Sequence, residues 1–347
     1  MQRRRAAIVV AALIALAACA AAVAWGRTGG TSGPFLQMGA SRAHVRPALT
    51  SGLGVARDRV RKIDLIEQLS APPQVVILGG SRALRLDPAY LQRRTGLTGF
   101  NAAVTEAQPE DAWAFVSLLH VRFPAARFRF VWVIHADECG RAALNPALFR
   151  SPALARFFPR SLAAAQTNQG AAPYGSDPAQ LRRVFAPDGY VIRDGFDRLF
   201  PHPGGDAVAV RRQIRLALTT YAQTPTRPLP RSVFYFRKTL ALMQSIAAAP
   251  PVIVSAPVDP RILAASAGRG WAVRQRFLLR MLAGLHDRYR FDFADLSHAA
   301  SCACTARDFF DGIHLRPSGA RKVIDAVLNR FPNAFGGAPA AAANPGT

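Results

Sequence analysis

A chain of 347 residues, half of them hydrophobic, can bury a substantial core as one large domain or as one domain with a sizeable insertion. Its formal net charge of +23 comes almost wholly from arginine scattered along the whole length, a compositional bias. No compact basic run with interleaved aromatics, zinc-ligand spacing or RNA-binding signature accompanies it, so no nucleic-acid partner is expected. Such a surface would still draw anionic lipid headgroups or acidic envelope polymers.

The N-terminus opens with arginines at positions 3–5, and residues 6–25 then run without a charge. That run is long enough to cross the ~30 Å hydrocarbon core as a helix. The flanking arginines hold its start in the cytoplasm and put everything after it outside. Residues 1–26 therefore read as a cytoplasmic tip and an uncleaved transmembrane signal-anchor. Two processed forms stay open. Leu16-Ala17-Ala18-Cys19 resembles a lipoprotein cleavage box that would lipidate Cys19, and Ala20, Ala21 and Ala22 suit a soluble-secretion peptidase. The apolar run continues past Cys19 to Trp25, which favours the anchor. A buried soluble helix is opposed by the lack of any polar face.

Residues 27–54, rich in Gly, Ser, Thr and Pro, read as a linker, and residues 336–347 as a disordered tail. Between them, residues 55–335 alternate short β-branched runs with amphipathic stretches, the pattern of a parallel α/β sheet covered on both faces. In chain order the pattern predicts helix 55–70, strand 74–78, a short strand near 99–101, helix 109–121 and strand 128–134. Helices 207–221 and 232–248, strand 252–255, helix 271–288, strand 290–293 and helix 317–331 follow. Residues 139–231 separate the third and fourth strands; a structureless loop of that length is unexpected, so they are predicted to form an inserted cap over the substrate cleft.

Cys139, Cys302 and Cys304 remain outside the anchor. Cys302 and Cys304 are too close for an ordinary bridge, but either could pair with Cys139 in an oxidising compartment. They offer too few ligands for a metal, and no metal or organic cofactor is implied.

Two segments carry chemistry. Val75-Val76-Ile77-Leu78-Gly79-Gly80-Ser81-Arg82-Ala83 is a buried strand running into a glycine-rich turn, which puts Ser81 at the carboxyl edge of the sheet. Alone it could be an ordinary strand-to-helix turn with Ser81 as a helix cap; it matches no Walker or dinucleotide pattern. The second is Asp308-Phe309-Phe310-Asp311-Gly312-Ile313-His314-Leu315-Arg316-Pro317-Ser318-Gly319-Ala320. An Asp three residues before a His, on a loop entering the last helix, lets the carboxylate orient the imidazole towards a distant serine.

Together, Gly79-Gly80-Ser81-Arg82 and Asp311-Gly312-Ile313-His314-Leu315-Arg316-Pro317-Ser318-Gly319 resemble the first and last motif blocks of SGNH/GDSL-type hydrolases. The resemblance covers residues 74–134 and 252–330. It implies a flavodoxin-like three-layer α/β/α sandwich with Ser81 as nucleophile, His314 as base and Asp311 as its orienter. Two places depart from the family. Its second block supplies an oxyanion-hole amide from a glycine; here Asn101-Ala102-Ala103-Val104 stands there, which leaves the Ala102 amide to serve beside the amide of Arg82. Its third block supplies an asparagine, whereas this strand ends His135-Ala136-Asp137-Glu138. Losing one donor costs about 10²–10³ in rate in another hydrolase, so either His135 or a protonated Asp137 compensates, or the hole is weak. Arg82 could bind an anionic substrate or pair with a carboxylate. Trp113, Trp132 and Trp271 read as packing residues, and His120 as a helix-end or surface residue.

The function expected is that of a membrane-anchored serine esterase or O-acyltransferase, acting outside the cytoplasmic membrane on acyl esters of envelope glycans or lipids. A membrane acyl-donor partner would suit transfer. The competing class is a non-catalytic envelope protein that uses the same fold to bind polymer or to scaffold.

Overall fold

The computed structural model describes residues 53–141, 143–162, 185–191, 207–223, 227–266, 268 and 270–336. The predicted signal-anchor, Cys19, the linker up to residue 52 and the tail from residue 337 lie outside them. No helix of the described residues is long and apolar enough to cross a membrane.

The fold is α/β. Its elements run α1 (Leu53–Gln68), β1 (Val75–Gly79), α2 (Pro88–Thr95), β2 (Gly99–Asn101), α3 (Pro109–Arg122) and β3 (Arg129–Ile134). The insertion holds the short helices α4 (Ala147–Arg150) and α5 (Pro152–Ala155), and also α6 (Ala207–Gln223). Then come α7 (Pro230–Ile246), β4 (Val252–Ser255), α8 (Pro260–Ser266), α9 (Trp271–His286), β5 (Asp292–Asp295) and α10 (Pro317–Arg330). All five strands are parallel, in the order β2-β1-β3-β4-β5, with Ile77 beside Asn101 on one side and Val131 on the other.

Apart from Arg129 at the start of β3 the central strands are buried, which is why they read as near-continuous apolar runs. Alternate residues meet helices on opposite sides. Ile77 and Val131 face Val323, Val327 and Leu328 of α10, whereas Leu78 and Trp132 face Phe115 of α3. Trp132 also stacks on Phe236 of α7, ring centres 4.3 Å apart. The edge strand β5 begins two residues later than the predicted 290–293. An edge strand is only half covered, so it admits Asp292 and Asp295, and apolar pattern alone misplaces it. Helix α2 escaped the sequence reading because it is short and polar; it is bounded by Asp87, whose carboxylate accepts the Ala89 N–H, and by left-handed Gly96.

The described parts of the insertion join the main core through Leu144, Leu148, Phe149, Leu154, Phe158, Phe185 and Val191. Residues 185–191 run beside β2, where Asn101 N–H donates to Asp188 O (2.8 Å). Lys62 of α1 clamps this contact by donating to both Asn101 O and Gly189 O; burial pulls its ammonium down to about 7. Helix α6 docks separately: Val210 and Ile214 pack on Val258, Ile262, Leu263 and Ile313.

The cysteine expectation is corrected. Cys302 bonds to Cys304, their Cα atoms 5.3 Å apart, and buried Cys139 keeps a free thiol that burial pushes up. Left-handed Ala303 (φ 52°) between the two cysteines folds the chain back and turns their side chains together.

Candidate active site

Ser81 stands two residues beyond β1 at the carboxyl edge of the sheet. Gly79 makes that exit possible: its φ is 140°, and a Cβ there would collide with Val133 O of the neighbouring strand. Behind the turn, buried Asn101 donates through Nδ2 to Ala83 O (2.8 Å) and Leu86 O (2.9 Å), while its Oδ1 accepts the Ala103 N–H (2.9 Å). One side chain at the end of β2 thus holds the main chain that follows Ser81.

The other half of the site is the loop between β5 and α10. Asp308 anchors it, accepting from Thr305 N–H (2.8 Å), Ser318 Oγ (2.8 Å) and Lys322 Nζ (2.7 Å). Phe309 and Phe310 are buried, and Phe310 N–H reaches across the turn to His314 O (2.8 Å). The turn brings His314 Nδ1 within 2.8 Å of Asp311 Oδ2 and His314 Nε2 within 2.9 Å of Ser81 Oγ. Asp311 Oδ1 accepts the amides of Ile313 (3.1 Å) and His314 (2.9 Å). Burial by itself would raise the Asp311 carboxyl. The charge of His314 and these hydrogen bonds outweigh it, so Asp311 is held below the ordinary carboxylate range and stays ionised. A carboxylate, an imidazole and a hydroxyl in this order can draw a proton from the serine as it attacks.

The expected oxyanion donors fare differently. The Ala102 amide is spent in the sheet, donating to Ile77 O at 2.8 Å, so it does not serve. Along this loop the amides of Ala103, Val104, Thr105 and Ala107 also have acceptors within the fold. Among the described residues here, only Glu106 leaves its N–H without one, and it is left-handed (φ 55°). The Ala107 N would lie 3.9 Å from a Cβ on Gly80, which sets the Glu106–Ala107 peptide beside the Ser81 turn. The Ser81 N–H likewise has no acceptor within the fold. No sequence signal marked Glu106, because a left-handed glutamate has no pattern of its own.

Asp137 is tied into the fold by an ion pair. One of its oxygens takes Arg141 (3.1 Å) and the other lies against His135 Nδ1. Burial, then the charges of Arg82 and Arg141, hold His135 far below its usual value, so the ring is neutral. Arg82 remains close enough for its charge to act on His135 and Glu138. The tryptophans pack as expected: Trp271 is buried, and half-buried Trp113 donates to Phe157 O (3.0 Å) with Lys238 over its ring.

Two further residues belong to the site. Glu138 accepts the His135 N–H (3.2 Å) and lies beneath Gly80. Gln213 of α6 donates to Asp311 Oδ2 (2.7 Å). Among the described residues no group of three or more His, Cys, Asp or Glu could hold a metal ion. No family model matches the chain, and no curated protein matches it.

Proposed function

We propose that this chain is a serine-dependent acyl esterase or O-acyltransferase of the SGNH type, acting on acyl esters of envelope glycans or lipids outside the cytoplasmic membrane. The observation that carries the reading is the continuous path from Asp311 through His314 to Ser81, at 2.8 and 2.9 Å. The strand order supports the flavodoxin-like form of the fold, in which ligands sit at the reversal between the first and third strands. Ser81 follows the first of these and His135 the third. The uncharged residues 6–25 behind three arginines support the membrane placement.

In this mechanism His314 Nε2 takes the Ser81 proton as Oγ bonds to the ester carbonyl carbon. The carbonyl oxygen becomes an oxyanion facing the amides of Ser81 and Glu106. Collapse expels the alcohol, which takes its proton from His314 and leaves an acyl-Ser81. Water or a sugar hydroxyl then attacks, giving its proton to His314, and the acyl bond to Ser81 breaks as that proton returns to Oγ. Asp311 stays ionised throughout and stabilises the imidazolium.

The test is a panel of acyl esters offered to the purified chain with and without glycan acceptors, with products identified by mass. Turnover that disappears in Ser81→Ala is expected. An arginine-tied acid at position 137 in place of a neutral donor favours the non-catalytic polymer-binding reading; it predicts no turnover but retained glycan binding.

A further inference from the structure

We infer that Gln213 is a positioning residue for Asp311, so that helix α6 of the insertion is built into the catalytic apparatus. The inference rests on the serine-hydrolase reading above. Asp311 has four donors: two amides on Oδ1, and on Oδ2 the His314 ring at 2.8 Å and Gln213 Nε2 at 2.7 Å. The first three come from within three residues and would accompany any Asp-x-x-His turn. The fourth arrives from 98 positions away in sequence. Without it, Oδ2 would bond only to the ring it must orient, and every remaining tie on the carboxylate would come from the same turn.

The amide orientation is set by chemistry, because an ionised carboxylate only accepts and the Gln213 NH₂ must face it. Its position is set by packing. Val210, Gln213 and Ile214 share one face of α6 at helical spacing, and the apolar pair docks on Val258, Ile262, Leu263 and Ile313. Ile313 lies inside the Asp311–His314 turn, so the same surface that seats the helix also holds the motif. The opposite side of α6 carries exposed Arg211, Arg212 and Arg215. Gln213 is therefore a polar residue set among the apolar residues of the docking face, and its amide points at the carboxylate.

Taking away one donor leaves more charge on Oδ2 facing His314, which favours the protonated ring. Since attack needs the neutral ring, the acid limb of kcat/KM moves to higher pH. Other charged groups about this loop are Asp259, ion-paired with Arg261 on α8, Arg85 and Arg316 over the Phe310 ring, and Asp308 paired with Lys322, and the substitution leaves them in place.

The experiment compares the full chain with Q213L, which keeps the volume and excludes water, and with V210A, which weakens docking but keeps the amide. In Q213L, kcat is expected to fall about tenfold with KM little changed and the acid limb displaced upwards. V210A is expected to leave the limb in place. NMR titration of the His314 ring gives a second readout that needs no turnover: the Q213L midpoint should lie above that of the unsubstituted chain. If Q213L fails to fold, Q213N, one methylene too short to reach Asp311, should show the same displacement. Superimposable pH profiles and ring titrations in the folded variant would overturn the proposal. Absence of turnover in the unsubstituted chain would overturn the hydrolase reading, while the ring titration would still decide the role of Gln213.

Discussion

The Glu138 carboxyl lies directly beneath Gly80, so close that a Cβ on the glycine would stand 2.5 Å from Glu138 Oε1. An ionisable group is thus wedged under the turn that presents Ser81. Burial raises it from 4.5 to about 7, against the opposing charges of Arg141 and Arg82. The folded chain therefore binds the Glu138 proton more tightly than the unfolded chain does. Below about pH 4.5 both states are protonated and Glu138 has no effect on stability. As pH rises from there to about 7, the unfolded state loses its proton first and stability declines, levelling off above that range.

Glu138→Gln should remove this decline. Glu138 keeps part of its surface at solvent, so the discounted effect is on the order of 1–2 kcal/mol. Denaturant midpoints measured for both proteins between about pH 5 and 8 should converge at the acid end and separate at the alkaline end, with the glutamine protein the more stable there. Parallel curves would mean that Glu138 does not titrate under the turn.

Asp137 gives the opposite expectation for catalysis. Because it is tied to Arg141, Asp137→Asn adds no donor to the oxyanion hole, so the alkaline side of the kcat/KM profile should stay as it is. A change in rate of less than about threefold is expected, in line with loss of a partly exposed ion pair. A rise in activity together with loss of an alkaline fall would show that Asp137 faces the substrate after all.

Asn101 should be among the costliest substitutions near the site. Asn101→Ala strands the Ala83 and Leu86 carbonyls and the Ala103 amide, all held at 2.8–2.9 Å by one buried side chain. Leaving such groups unpaired should cost about 2–4 kcal/mol. The turnover number should also fall, because the chain behind Ser81 loses its tie. Chemical denaturation and initial rates on one ester check both; a loss under about 1 kcal/mol would mean that water substitutes for the amide.

Much of this arrangement was legible in the sequence. The strands β1, β3 and β4 are buried on both sides, so composition alone locates them, and the Ser81, Asp311 and His314 motifs are distinctive strings just after β1 and just before α10. What escaped depends on distance and conformation. Gln213 lies in an insertion with no motif and meets Asp311 only because α6 docks on Ile313. Glu106 stands out by its left-handed backbone, which its side chain does not announce. Ala102 was misjudged because a residue one step past a short strand can still belong to the ladder, as its bond to Ile77 O shows.

Within the triad, His314→Ala and Ser81→Ala should each abolish turnover, and the double variant should be little worse, since members of a triad act as a unit. Asp311→Asn should also be severe, because it leaves the imidazole in the wrong tautomer.

The most direct test of the central claim is labelling with a fluorophosphonate, followed by mass mapping of the modified peptide. The account predicts one adduct, on Ser81, lost in Ser81→Ala and strongly reduced in His314→Ala. A folded chain that takes no label, or one labelled equally well after Ser81→Ala, would contradict it.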